Sequence, residues 1–406
     1  MNTDTIEQVD LSDHETFRAG FPHAFFGWLR QHDPVHWHEP TQATPDGEGF
    51  WVVSRHADVK AVQMDATTFS SDRGGIRERG GTGIRDESAA GRMLNMTDGD
   101  QHHRLRSLVN RGFTARAISD LEGELAEITG RLLDAIGGDT FDAVHDFTRE
   151  LPSQAICIVL GVPEPDRAAL VDWLDAGIED AGPSIVSAEA SAKLRQYATG
   201  LIADKRANPD GAIMSTIVHA QLEDGSQLTD RELEAFFGLL FPAGADTTRS
   251  ALASAIHAFC EYPDQYQRLR DDRSLIPTAI EEMVRWATPS IYKRRTASRD
   301  VELAGTNIRA GDKVTFWEMS ANRDETVFDR PFEFDVGRSP NPHLGFGWGI
   351  HFCLGANLAR LEMKVALEAL LDRYSGFEAA GDLEWMPNNR LWGLRRFAVT
   401  PIPIGE

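Results

Sequence analysis

Apolar residues recur along most of this chain at intervals of three and four. Leu121, Leu125, Ile128, Leu132, Leu133 and Ile136 form a one-sided stripe that stops at Gly137-Gly138, which predicts an amphipathic helix closed by glycine. Leu358, Leu361, Val365, Leu370 and Leu371 predict another. Thr229-Asp230-Arg231-Glu232 reads as a capping box. It opens a run through Phe236 and Leu240 to Phe259 that is apolar on most sides and therefore predicts a helix crossing the core. Two short regions favour strands instead. Phe50-Trp51-Val52-Val53 follows the turn residues Asp46-Gly47-Glu48-Gly49, and Val301-Glu302-Leu303, Ile308 and Lys313-Val314-Thr315-Phe316 are separated by turns at Ala304-Gly305 and Ala310-Gly311-Asp312. Ser70 to Gly91 has no period and holds Gly74, Gly75, Gly80, Gly81 and Gly83 among charges, so it is a candidate substrate gate.

Composition narrows the class. The 406 residues are 41% hydrophobic and 26% charged, enough apolar material for a sizeable core. No linker, repeat or low-complexity segment divides them, so an N-terminal tail over 1–16 and a single domain over 17–406 are expected. The formal charge of -22 argues against a general nucleic-acid binder. An acidic N-terminus and the lack of about 18 consecutive apolar residues predict a cytoplasmic protein without a membrane anchor. Three widely spaced cysteines make neither a disulfide framework nor a CxxC site.

Cys353 stands apart from Cys157 and Cys260, for which core packing is the expected role. It lies in Phe346-Gly347-Trp348-Gly349-Ile350-His351-Phe352-Cys353-Leu354-Gly355, just ahead of the stripe from Leu358. Glycines admit backbone N–H groups to the sulfur and a following helix N-terminus adds positive partial charge, both favouring thiolate. A lone thiolate suits one axial bond to haem iron better than zinc; the alternative is a buried, inert cysteine. Two other features need partners. Glu282 and Arg285 share a helix face, which by itself describes a surface ion pair. Ala243-Gly244-Ala245-Asp246-Thr247-Thr248 sets polar groups in an apolar helix, to line a cavity or to bond back to the preceding turn. Pro242 and Gly244 predict a bend or opening there, with the proline ring against the carbonyl of Gly238.

Phe346, Gly349, His351, Cys353, Gly355 and Ala359-Arg360 together resemble the haem-binding signature of the cytochrome P-450 family, the haem-thiolate monooxygenases. Glu282 with Arg285 resembles the family's ExxR pair, and Phe334-Asp335-Val336-Gly337-Arg338 the segment giving its third partner. Arg338 is the choice there, with Arg323 and Arg330 competing. The resemblance spans about Phe17 to Ile404. It implies a mainly α fold with a small β region, a single large triangular domain holding haem b between the long central helix and the cysteine loop. It assigns iron to Cys353, dioxygen beside Ala243 and Gly244, and proton delivery to Asp246 and Thr247. Phe346 and Gly355 flank the haem, and His102, Arg106, Arg295 and His351 reach its propionates, with His103 as the rival to His102.

The activity implied is insertion of one oxygen atom from dioxygen into a C–H bond. With no space for a fused reductase after Glu406, electrons are expected from NAD(P)H through a ferredoxin and its reductase, docking where Arg104, Arg111, Arg360 and Lys364 would make a basic patch. A monomer acting on a lipophilic molecule is expected, with a sterol, terpenoid or branched lipid favoured. Candidate pocket walls are Met93, Leu94, Trp173 to Ile185, Phe237, Phe241, Ser290 to Tyr292 (Ile291 among them), Leu391 and Trp392. Tailoring of a secondary metabolite, free or carrier-bound, is the second reading, and a peroxide-driven peroxygenase or a haem sensor the readings from other classes.

Overall fold

The computed structural model describes residues 9–179, 187–222 and 225–405, without the side chains of 177–179. Helices dominate. The longest, Asp230–Glu261, begins at the capping box: Thr229 accepts from the Glu232 N–H, and the Glu232 carboxylate accepts from the Thr229 N–H at 2.9 Å. It crosses the main apolar cluster, packed against Glu150–Leu160, Ala188–Ala207 and Ile276–Ala287. The helix is unbroken through Pro242, so the expected opening is not there. Packing from several neighbours outweighs the one hydrogen bond that proline removes. Gly244 serves close approach: a Cβ there would lie 2.6 Å from the Ile156 side chain.

A five-stranded sheet lies to one side, ordered Val35–His38, Phe50–Val53, Lys313–Phe316, Lys293–Ala297, Phe69–Ser70. The pair Phe50–Val53 with Lys313–Phe316 is parallel and the others antiparallel. Val301–Leu303 and Thr306–Ile308 make the expected hairpin around Ala304 and Gly305, both at positive φ. A second cluster, including Phe17, Phe26, Phe50, Tyr292 and Trp317, covers the sheet.

Two expectations about loops change. The N-terminal stretch is not a tail as far as residue 16: Leu11 is fully buried, donates its N–H to His38 Nε2 at 3.1 Å, and accepts from Asn389 at 3.0 Å. One leucine in an acidic stretch leaves no periodic signal. Ser70 to Gly91 is irregular as expected, yet it is pinned instead of free. Glu87 accepts from the N–H groups of Thr82 and Gly83 and from Arg390 at 3.0 Å, while Asp86 meets the fully buried Arg294 at 2.6 Å. Ile84 is buried, with its N–H on the Tyr292 hydroxyl. These partners of Asp86 and Glu87, Arg294 and Arg390, lie more than 200 residues away.

Candidate active site around Cys353

The cysteine loop is built by backbone closure. The Cys353 N–H donates to the Phe346 carbonyl at 2.8 Å, and a tight turn over Gly349–His351 is closed by Phe352 N–H on Gly349 O. Gly349 has a φ of 72°, and a Cβ there would lie 2.6 Å from the Gln63 carbonyl, so only glycine fits against helix His56–Met64. Phe346 sits half-buried under the Arg360 guanidinium, and Gly355 leads into the helix Ala356–Arg373. Burial pushes the Cys353 thiol up; the Gly355 N–H, Lys293, Arg106 and Arg360 pull the other way. The helix-end N–H and the neighbouring cations thus favour thiolate, but burial outweighs them.

Cationic and imidazole groups converge beside this loop. His102 and Arg106 lie one turn apart on the helix Gly99–Asn110, and the His102 ring stands 4.4 Å from that of His351. His351 Nε2 faces Asp98 at 3.1 Å and the Ser71 hydroxyl at 2.9 Å. Burial, then His351 and Arg106, lowers His102 to about 4. Arg295 is buried, its one described hydrogen bond going to the Arg294 carbonyl, and burial lowers it to about 10. His102 Nε2 is buried without a protein partner, an orphan that a ligand carboxylate would satisfy. His103 is exposed, away from this cluster.

On the central helix, Ala243 is exposed and Thr247 half-buried although the helix runs through the core, so this face borders open space. The Thr247 hydroxyl donates to the Ala243 carbonyl at 2.8 Å. Asp246 is fully buried and ion-paired to Arg249, with burial raising its carboxyl pKa. Gly244 turns its Cβ position toward Ile156, not toward the open face.

Glu282 and Arg285 are both fully buried and bidentate, at 2.7 Å for each bond. Arg338 Nε reaches both Glu282 oxygens at 3.2 and 3.1 Å. Arg330 instead pairs with Asp329 and Glu333 on the surface, and Arg323 caps the helix at the Arg285 and Trp286 carbonyls.

Several expected pocket residues do not line open space. Phe237, Phe241 and Ile291 are fully buried; the two phenylalanines stack 5.8 Å apart, and Phe237 also meets Tyr197. Helix phase explains it: Phe236, Leu239 and Leu240 lie above Ala243 and Thr247, whereas 237 and 241 point more than a quarter-turn away. Leu94 is buried in the main cluster, and Met93 is half-buried. Leu391 and Trp392 are nearly buried, with Trp392 stacked on Trp385 and its indole N–H unpaired. Trp173 lies on the helix Glu164–Glu179, whereas 180–186, with Ile185, fall outside the described residues.

The basic patch is largely neutralised. Arg104 meets Glu232 at 3.4 Å, Arg360 is bidentate on Glu281, and Lys364 reaches Glu122 at 2.5 Å and Glu368 at 3.0 Å. Arg111 is exposed. Sequence reasoning missed Glu362, fully buried within the stripe after Leu358, whose carboxyl burial pushes well up, offset in part by Thr248. A glutamate inside a leucine stripe was the available signal. Among the described residues no helix is long and apolar enough to cross a membrane.

Comparison with known proteins places this geometry. The Cytochrome P450 family profile matches residues 186–401. The Mycobacterium tuberculosis protein designated cytochrome P450 126 is 48% identical over 403 residues, 97% of each chain. From the same organism, the methyl-branched lipid omega-hydroxylase is 36% identical, covering 92% of this chain and 90% of its own, and the steroid C26-monooxygenase is 36% identical, covering 96% and 92%. Among solved structures, Mycobacterium marinum cytochrome P450 CYP268A2 in complex with pseudoionone superposes with a TM-score of 0.88 at 35% identity, covering 97% of this chain and 98% of its own. Matched over nearly its whole length, with a cysteine loop, a buried Glu-Arg-Arg cluster and polar residues inside a long core helix, the chain belongs to the cytochrome P450 family and is a monooxygenase.

Proposed function

We propose that this enzyme hydroxylates an unactivated C–H bond of a lipophilic molecule, with a sterol, terpenoid or branched lipid as substrate and electrons from NAD(P)H through a ferredoxin and its reductase. The observation that carries the reading is the cationic and imidazole cluster beside the Cys353 loop, where His102 and His351 stand 4.4 Å apart and His102 Nε2 is buried without a partner. The residues fit the family's haem. Cys353 would supply the thiolate to its iron; His102, whose Nε2 is buried without a partner, together with Arg106, Arg295 and His351 would hold the propionates. Bound haem supplies oxygen activation at a thiolate-ligated iron.

The protein's own residues do the rest. Thr247 and Asp246 supply protons, the hydroxyl from the open face and the carboxyl from behind it. The Glu282, Arg285 and Arg338 cluster fixes the segment that leads into the cysteine loop. Half-buried Leu239, backed by the buried Leu240 and Phe236 on the same face, makes an apolar wall above Ala243, which suits a hydrocarbon skeleton. Relatives at 36% identity are named for a methyl-branched lipid and a steroid, and a neighbour was solved with pseudoionone, in keeping with that wall.

The test is a spin-state titration of the ferric holoenzyme with methyl-branched fatty acids, sterols, terpenoids and carrier-bound acyl groups. A low-to-high-spin shift with the first three is expected. A shift only with the carrier-bound group would replace this reading by carrier-bound tailoring.

A further inference from the structure

The helix Ile276–Ala287 carries two adjacent glutamates that serve different neighbours. Glu282 holds Arg285 and Arg338. Glu281, about 100° around the helix, faces the cysteine loop and the helix that follows it. Its carboxylate accepts from Arg360 Nε at 2.6 Å and Nη2 at 3.0 Å, and from His343 Nε2 at 3.0 Å. The other ring nitrogen of buried His343 accepts the Gly345 N–H at 3.2 Å, which leaves a neutral imidazole with its proton on Nε2. Gly345 is where the loop meets this helix: a Cβ there would lie 2.6 Å from the Val284 side chain. Glu281, Arg360 and His343 therefore form one hydrogen-bonded unit without net charge, tied to the chain on both sides of Cys353.

Arg360 is placed to act on the sulfur. Its guanidinium lies 4.5 Å from the centre of the Phe346 ring, and the Phe346 carbonyl accepts the Cys353 N–H at 2.8 Å. With Lys293 and Arg106 it is among the cations that favour thiolate at Cys353. Lys293 is matched by the fully buried Glu318 at 2.8 and 2.6 Å, and Arg360 by Glu281. A cation beside a thiolate draws electron density from the sulfur, and a carboxylate on that cation gives part of it back.

We propose that Glu281, held by His343, is a positioning residue that sets how strongly the Cys353 thiolate donates to iron, by fixing Arg360 on Phe346 and offsetting its charge. Arg360 then serves the cysteine loop instead of a docking surface. The inference rests on Cys353 as the source of the thiolate, proposed above.

Two measurements on the holoenzyme test it. Spectroelectrochemistry gives the one-electron potential, the electron coming from the electrode, and infrared spectroscopy of the reduced carbon monoxide complex gives the C–O stretch, which rises as sulfur donation falls. Glu281→Gln leaves the Arg360 charge without its offset. It is expected to shift the equilibrium toward the reduced form by about threefold or more, about 28 mV upward at about 59 mV per decade, and to raise the C–O stretch. His343→Ala frees one Glu281 oxygen and moves both readings the same way by less. Arg360→Gln removes the cation and moves both readings in the opposite direction, while Arg360→Lys keeps the charge and stays near wild type. A merely structural role would shift Glu281→Gln and Arg360→Gln in one direction, and that result, or wild-type readings in both, overturns the proposal. Should Arg360→Gln lose its haem, Glu281→Gln is compared with Arg360→Lys, and equal readings overturn it. An imidazole-type Soret band in the wild-type carbon monoxide complex would overturn Cys353 ligation and this inference with it; a thiolate band with unmoved readings overturns this inference alone.

Discussion

Replacing Arg338 by alanine separates a buried structural charge from a decorative one. Its Nε holds both oxygens of the fully buried Glu282, and its terminal nitrogens donate to the carbonyls of Asp329 at 2.6 Å, Arg330 at 3.2 Å and Glu333 at 2.9 Å. The charged pair is worth about 2 kcal/mol and each carbonyl bond about 1 kcal/mol. The carbonyls lie at the exposed edge of the cluster and recover water, so roughly 3 kcal/mol should be lost, the lower end of the range for breaking a buried pair. That is a change of about 100-fold in the folding equilibrium. Arg330→Ala, eight residues away and paired only at the surface, should be indistinguishable from wild type. Urea unfolding followed by tryptophan fluorescence, with haem retention read from the Soret absorbance, measures both. Equal midpoints for the two variants would refute the assignment of Arg338 as third partner.

Other consequences follow from the same structure. Burial would raise the Glu281 carboxyl, but hydrogen bonds from His343 and Arg360 prevail and bring it down to about 2 from 4.5. Its folded-state value is depressed, so its stabilisation is present above pH 4.5 and lost as pH falls toward 2. Glu281→Gln should therefore flatten the acid limb of the unfolding profile, by about 1–2 kcal/mol after solvent screening; an unchanged limb contradicts this. Gly244→Ala should destabilise by about 1–3 kcal/mol through overpacking on Ile156. Adding Ile156→Ala should recover part of the loss, and simple additivity in thermal denaturation would speak against the contact. Glu87→Gln should raise amide exchange over 80–87 by more than about tenfold if the loop is pinned as described; protection equal to wild type would mean that other bonds hold it.

Local chemistry was readable wherever it is local. The capping box at Thr229, the hairpin at Ala304-Gly305 and the Glu282 with Arg285 pair depend on residues within a few positions, and all appear at those positions. Arg338 was preferred over Arg323 and Arg330 from its segment, and it is the one that touches Glu282. What failed depended on distant partners or on rotational phase. Arg104, Arg360 and Lys364 looked like a free basic patch because Glu232, Glu281 and Glu122 lie 79 to 242 residues away. Phe237 and Phe241 are near Pro242 along the chain but lie off the helix face that carries Ala243 and Thr247. Pro242 is by itself a helix breaker, while the packing of three helices against the length of its own helix is not visible locally.

The measurement closest to the central claim is the carbon monoxide difference spectrum of the reduced holoenzyme, taken for wild type and for alanine variants at Cys157 and Cys260 and a histidine variant at Cys353. Wild type, Cys157→Ala and Cys260→Ala should all give the long-wavelength Soret band of thiolate ligation, and Cys353→His should move it to the shorter wavelength of an imidazole ligand. Loss of the thiolate band in Cys157→Ala or Cys260→Ala with its retention in Cys353→His would contradict the assignment of Cys353.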